Sequence, residues 1–269
     1  ILYNAQDARM SIDDYISCAS CHLDGGHDGR TWDFTQRGEG LRNNISLLGR
    51  AGAAHGNQHW TGNFDESQDF ENDIRLHFGG LGFLPDDEWA DPEVQDPLGS
   101  KSKAGRSPEL DDLAAYLASL GADSLRASPY RTPTGKLSYQ AIRGREVFEA
   151  ASCMDCHSGS TYTDGLRHDV GTLTADSGTR VNGPLDGIDT PTLLDLHDTA
   201  PYLHDGSAPN LETVFTRFDP SASADSDLRA HDLRAFTPEE QSDLIRYLLE
   251  IDSPPGTIGS GFVETDGAV

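Results

Sequence analysis

Two six-residue stretches carry all four cysteines of the chain: SCASCH at residues 17–22 and SCMDCH at residues 152–157. Each sets two thiols in Cys-x-x-Cys spacing with a histidine directly after the second. That spacing suits covalent attachment of a c-type haem. Two thiols bond the two vinyl groups of one porphyrin, and the next imidazole is held under the iron as proximal ligand. This assigns Cys18, Cys21 and His22 to one haem, and Cys153, Cys156 and His157 to a second. A zinc site, a redox dithiol and a disulfide framework are the alternatives. Zinc does not require a histidine after each pair, a thioredoxin-type dithiol would occur once within a βαβ pattern, and haem attachment leaves no cysteine over.

The sixth position of each iron decides its chemistry. A Met or His there gives an electron-transfer haem, and an open position gives a reactive one. The chain has two methionines. Met154 lies inside the second motif and cannot reach over the far haem face, and Met10 precedes the first motif on its proximal side. Methionine ligation is therefore nearly excluded. Eight histidines remain outside the motifs: His27, His55, His59, His77, His168, His197, His204 and His231. His231, in LRAHDLRAF, is the natural sixth-ligand candidate for the second haem, with a surface histidine in an acidic loop as the alternative. His55 and His59, beside Trp60, read as neighbours of the first haem and not as ligands.

The elements around the motifs repeat imperfectly. An amphipathic lead precedes each motif, ILYNAQDARMSIDDYIS in the first half and AIRGREVFEAAS in the second. Each half also closes alike. SPELDDLAAYLASLG predicts a helix with Ser107 as cap, Pro108 at its first position, and Leu110, Leu113, Tyr116, Leu117 and Leu120 on one face. TPEEQSDLIRYLLEI predicts another, with a Thr237–Glu240 capping box and Leu244, Tyr247, Leu248 and Ile251 turned inward. The Gly-, Pro- and Ser-rich stretch between them places a boundary near residue 130. The expected fold is mostly α with long loops: two tandem cytochrome c-type domains, residues 1–130 and 131–269, each with one covalent haem c. No convincing series of alternating strands is present.

Composition agrees. Hydrophobic residues make up 36%, lean for a core of 269 residues, while Gly (28) and Pro (14) are frequent. A large apolar cofactor would fill such an interior. The net charge is −25, and three of the basic residues are Lys. So acidic a surface repels nucleic acid and anionic membrane; it would attract a basic partner, although a plain solvated acidic surface is the simpler reading. No apolar run approaches the roughly 20 residues of a membrane-spanning helix. The chain opens at ILYNAQDARM without a Met or a signal peptide, which reads as a mature form or a piece of a longer polypeptide. Haem c attachment implies export, to the periplasm or beyond.

At this point the sequence resembles the bacterial dihaem cytochrome c peroxidases and the MauG-type dihaem enzymes. The likeness runs over most of the chain. RNNISLLG at residues 42–49 and the following HWTGNFDESQDFENDI resemble the family's Arg-Asn-x-x-Ser/Thr-x-Leu and Trp-Asp-Gly segments. The most specific match is TPTLLDLHDTAPYLHDGSAPNLETVF at residues 190–215, against the family's Thr-Ala-Pro-Tyr-Phe-His-Asp-Gly loop. The resemblance implies that Trp60 relays electrons between the haems, with a core aromatic as the plainer reading. It implies that Thr199 and Pro201 offer carbonyls to a calcium ion, although the family's Asn ligand falls on Gly49. It implies that His204 and Asp205 support the edge of the second haem. Where the family has that haem's Met or Tyr ligand, this chain has Phe218. On the distal side of the first haem the family places an acid–base glutamate. Glu71, Asp73 and His77 are the candidates here, with Glu71 and His77 carried forward as catalytic; a solvent-facing amphipathic helix is the alternative for them.

The function so implied is reduction of hydrogen peroxide, or its use as an oxidant, at one haem with electrons relayed from the other. A small redox protein would be donor or acceptor. The other reading is a closed dihaem electron-transfer domain of a larger redox protein. A homodimer and a domain of a longer chain both stay open.

Overall fold

The computed structural model describes residues 1–181, 183–216 and 230–254. Phe218 lies outside them. Among the described residues seven α-helices follow in chain order: α1 (Phe70–Leu76), α2 (Asp86–Trp89), α3 (Pro92–Gln95), α4 (Pro108–Ser119), α5 (Tyr139–Ala150), α6 (Leu211–Val214) and α7 (Pro238–Leu249). Helix amounts to 36%, much of it in single 3-10 turns. The rest is loop and three short antiparallel pairings, among them β1 (Thr31–Phe34) with β2 (Gly40–Asn43). These pairings are too short to show as alternation in the sequence.

The two closing helices form where their signals stand. Ser107 Oγ accepts from Leu110 N ahead of α4, and Leu110, Leu113 and Leu117 are buried. Tyr116 departs from that face: it is exposed, with its hydroxyl 3.2 Å from that of Tyr3. Thr237 and Glu240 exchange both bonds of the capping box at the start of α7, which satisfies backbone N–H groups that the first turn leaves open.

The two leads differ. The second is α5, capped by Ser138 Oγ on Ala141 N. The first holds one 3-10 turn, Ile12–Asp14, with Asp13 in a left-handed conformation. Its Met10 is fully buried among Ile74, Phe83, Leu84, Val94 and Leu110. That thioether serves packing, as its position in the sequence requires.

Helix α5 packs on α7 through Ala141, Val147 and Phe148 against Leu244, Tyr247 and Leu248. Each such side chain taken fully out of water contributes about 1.5–3 kcal/mol. Gly144 permits the approach, because a Cβ there would stand 1.8 Å from the carbonyl oxygen of Asp243. Arg143 clasps both carboxylate oxygens of Asp243 at 2.7 and 2.9 Å. A second set of packed residues, Leu2, Leu113 and Leu117 with Phe70 and Leu120, lies beside the first motif.

Candidate functional site

Each motif folds into one helical turn. The His22 amide donates to Cys18 O at 2.9 Å, and the His157 amide donates to Cys153 O at 2.9 Å. The turn brings two thiols and an imidazole to one wall of a cavity. No disulfide joins either pair. Burial pushes the thiols of Cys18, Cys21 and Cys153 up to about 11. An activated redox dithiol needs the opposite shift.

The second motif opens on a cavity of about 580 Å3, lined by Cys153, Cys156, His157, Phe148, Leu244 and Leu248 among others. His157 Nδ1 lies 3.1 Å from Tyr162 O, an acceptor only, so its proton sits there and Nε2 keeps its lone pair. His231 lines the same cavity, its ring edge-on to Phe215 at 6.3 Å. Burial, then the nearby His157, pulls the His231 imidazole down to about 4. Both imidazoles are thus held neutral, the form that ligates a metal.

The first motif opens on a cavity of about 150 Å3 lined by Cys18, Cys21, His22, Phe70, Leu113 and Leu117 among others. Burial, then the nearby His59, pulls His22 down to about 4. Asn43, Asn44, Ile45, His59 and Trp60 line both cavities and form the wall between them. Trp60 Nε1 donates to Asn43 O at 2.8 Å, and Asp189 N donates to Trp60 O at 2.9 Å. Strands β1 and β2 carry Asn43 to that wall, where its amide also donates to His204 O at 2.7 Å.

The other candidates fall in different places. Glu71 is fully buried and lines neither cavity: its carboxylate accepts from Phe83 N at 2.8 Å, Leu84 N at 3.0 Å and Arg75 Nε at 2.7 Å. It anchors the loop after α1. His77 caps the end of α1, exposed, and also lines neither cavity. Asp73, the third of those candidates, does line the smaller cavity and is buried. His204 is buried in the wall of the larger cavity, with Nε2 3.2 Å from Ser177 Oγ. Thr199 and Pro201 line that cavity too, and Pro201 O accepts from the Asn43 side-chain amide. Arg50 and Asp189, which drew no notice in the sequence, complete the wall; burial pulls Arg50 down to about 10 and pushes Asp189 up to about 7. Among the described residues, Cys156, Asp164 and His168 form the one group of three whose metal-ligating atoms lie within 4.8 Å of one another, and that thiol belongs to the second motif.

No protein-family model matches the chain. Over 287 residues it is 26% identical to hydrazine synthase subunit gamma of Kuenenia stuttgartiensis, covering 91% of this chain and 75% of that protein. Over 129 residues it is 33% identical to the methylamine utilization protein MauG of Methylophilus methylotrophus, covering 43% of this chain and 38% of that one. The chain is thus similar to MauG-type dihaem proteins and to a hydrazine synthase subunit. Solved structures share the fold. Hydrazine synthase of Kuenenia stuttgartiensis superposes with a TM-score of 0.63 at 24% identity, over 93% of this chain and 85% of that one. A MauG-like protein associated with microbial copper homeostasis gives 0.56 at 21%, over 91% and 84%. A dihaem peroxidase of Burkholderia thailandensis gives 0.51 at 16%, over 97% and 87%.

Proposed function

We propose that this chain is a peroxidase-type dihaem c oxidoreductase. Cys18 and Cys21 would attach the first haem and His22 would ligate it; Cys153, Cys156 and His157 would do the same for the second. The residues fit the group: each cavity has the two thiols on one wall, a neutral imidazole between apolar side chains, and in the larger one Arg50 as a buried cation for a haem carboxylate. Bound haem would supply one-electron chemistry and, at an open iron, a site for peroxide. His231, which lines the same cavity as His157, would be a second imidazole ligand for that haem's iron. The observation that carries the reading is the shared wall, because Trp60 borders both cavities and is therefore in reach of both cofactors. In this reading residues 1–130 and 131–269 are the two haem domains. A small redox protein serves as the outside donor, and the protein is exported. No helix among the described residues is long and apolar enough to cross a membrane.

A second reading is favoured by the length of the match to a hydrazine synthase subunit and by the histidines beyond the motif ones that line each cavity, His59 in the smaller and His59, His168, His204 and His231 in the larger. It is a closed electron-transfer domain of a larger assembly, with both irons bis-histidine.

Electron paramagnetic resonance of the oxidised protein, before and after peroxide, separates the two. A high-spin ferric signal that peroxide abolishes is expected for the enzyme. Two low-spin signals indifferent to peroxide would leave the carrier. An intact mass without two added haems would remove both.

A further inference from the structure

Five side chains close a ring on one side of the smaller cavity. His59 Nδ1 lies 2.8 Å from Asn63 Oδ1. Asn63 Nδ2 donates to Glu39 Oε1 at 3.4 Å. Glu39 stands 4.0 Å from the Arg37 guanidinium, and Arg37 donates to Asp73. Asp73 Oδ2 returns to within 4.0 Å of His59 Nε2. His59, Glu39, Arg37 and Asp73 all line the cavity that His22 lines.

The ring fixes a tautomer. A carboxylate can only accept, so the Asn63 nitrogen must face Glu39 and its oxygen must face His59. That oxygen also only accepts, so the His59 proton sits on Nδ1. Nε2 is left with its lone pair, next to the Asp73 carboxylate. Phe64 and Phe70 hold the imidazole from the sides, with ring centroids at 4.5 and 5.2 Å. The His59 backbone has φ +67, a conformation that a residue with a Cβ keeps only where its surroundings impose it. The rival groups are absent from the cavity wall, since Glu71 is consumed by backbone amides and His77 is exposed.

We infer that His59 Nε2 is the proton acceptor for small protic ligands entering the first cavity, hydrogen peroxide and hydrogen cyanide being the class, with Asp73 as its charge partner. The inference rests on the cavity's being the first haem site. In the step itself the ligand's bond to hydrogen breaks and an Nε2–H bond forms. The anion stays in the cavity, and the imidazolium stands beside a carboxylate. No electron changes hands. Arg37 stands between the Asp73 and Glu39 carboxylates, Arg42 faces Glu39 at 3.8 Å, and His22 and His77 are the other titratable groups nearby.

The test is cyanide association followed by stopped flow on the ferric holoprotein from about pH 5 to 8, with the resting paramagnetic resonance spectrum as a second readout. Cyanide arrives as neutral acid there and must lose its proton to bind as the anion. In His59→Gln the resting spectrum is unchanged and association slows roughly 100-fold or more, on the scale of a lost general base. Asp73→Asn slows it less and moves the pH inflection downward, since the imidazolium loses its carboxylate; it reports alone if the first variant does not fold. Wild-type rates in both variants would overturn the inference. So would a low-spin signal that turns high-spin in His59→Gln with faster binding, because His59 would then be an iron ligand. A protein that binds cyanide in a His59-dependent way but ignores peroxide would sink the peroxidase reading and leave this one standing.

Discussion

Trp60 gives its indole proton to the carbonyl of Asn43, 2.8 Å away, in the wall that separates the two cavities. Its own carbonyl accepts from Asp189, so the ring is pinned from both halves of the chain. Trp60→Phe keeps an aromatic of nearly the same reach and loses the bond. Both haem spectra should persist while peroxide-driven oxidation of the second haem slows at least tenfold in stopped-flow records. A rate equal to wild type would mean that electrons pass by another route and that Trp60 only packs.

The His231 imidazole shares a cavity with His157, and burial holds both below their ordinary values. His231→Gly should turn the second haem from low-spin to high-spin, and added imidazole should reverse the change. A spectrum that ignores the substitution would leave that iron five-coordinate or ligated by another group.

The two Cys-x-x-Cys-His turns were legible because their residue types and spacing lie in one short stretch each. The closing helices were legible because their caps and apolar faces are local, as at Ser107 and Thr237. The distal residues were not. Glu71 and Asp73 sit two positions apart on one short helix, and nothing in the sequence says which carboxylate turns to the loop amides of Phe83 and Leu84. His59 was legible as a neighbour of the first motif's site through Trp60, but its role was not, because its Asn63 and Asp73 partners come from separate segments. The first lead was expected to match α5, yet without a helix-length apolar stripe it stays irregular and donates Met10 to the core.

Lys103 is wholly buried, its ammonium 2.6 Å from the buried Asp69 carboxylate. Burial raises Asp69 to about 6 even with that partner present. Lys103→Ala leaves an unpaired buried carboxylate and should cost about 3–5 kcal/mol in urea unfolding. The double variant Lys103→Met with Asp69→Asn should recover most of that loss. A double variant as unstable as the single would show that the lysine stem's packing matters more than the charge.

His204 tests the acid limit of the fold. Burial holds its imidazole down at about 4 from an ordinary value of 6.5. A folded value below the unfolded one means that the unfolded chain binds more protons between the two. Stability is therefore full above about pH 6.5 and falls as pH drops toward about 4, by at most about 1.4 kcal/mol per pH unit for this one group. His204→Gln removes that proton and keeps a polar group beside Ser177 Oγ, the wild-type partner at 3.2 Å. Unfolding midpoints at about pH 7 and pH 4.5 should lie closer together in the variant than in wild type. Other buried histidines add to the acid sensitivity: His55, held at about 3, and His22 and His231, held at about 4, where bound iron would compete with protons for the lone pairs of the last two. Equal separation of the midpoints in variant and wild type would mean that His204 is protonated in the folded state without penalty, and that its burial carries no acid lability.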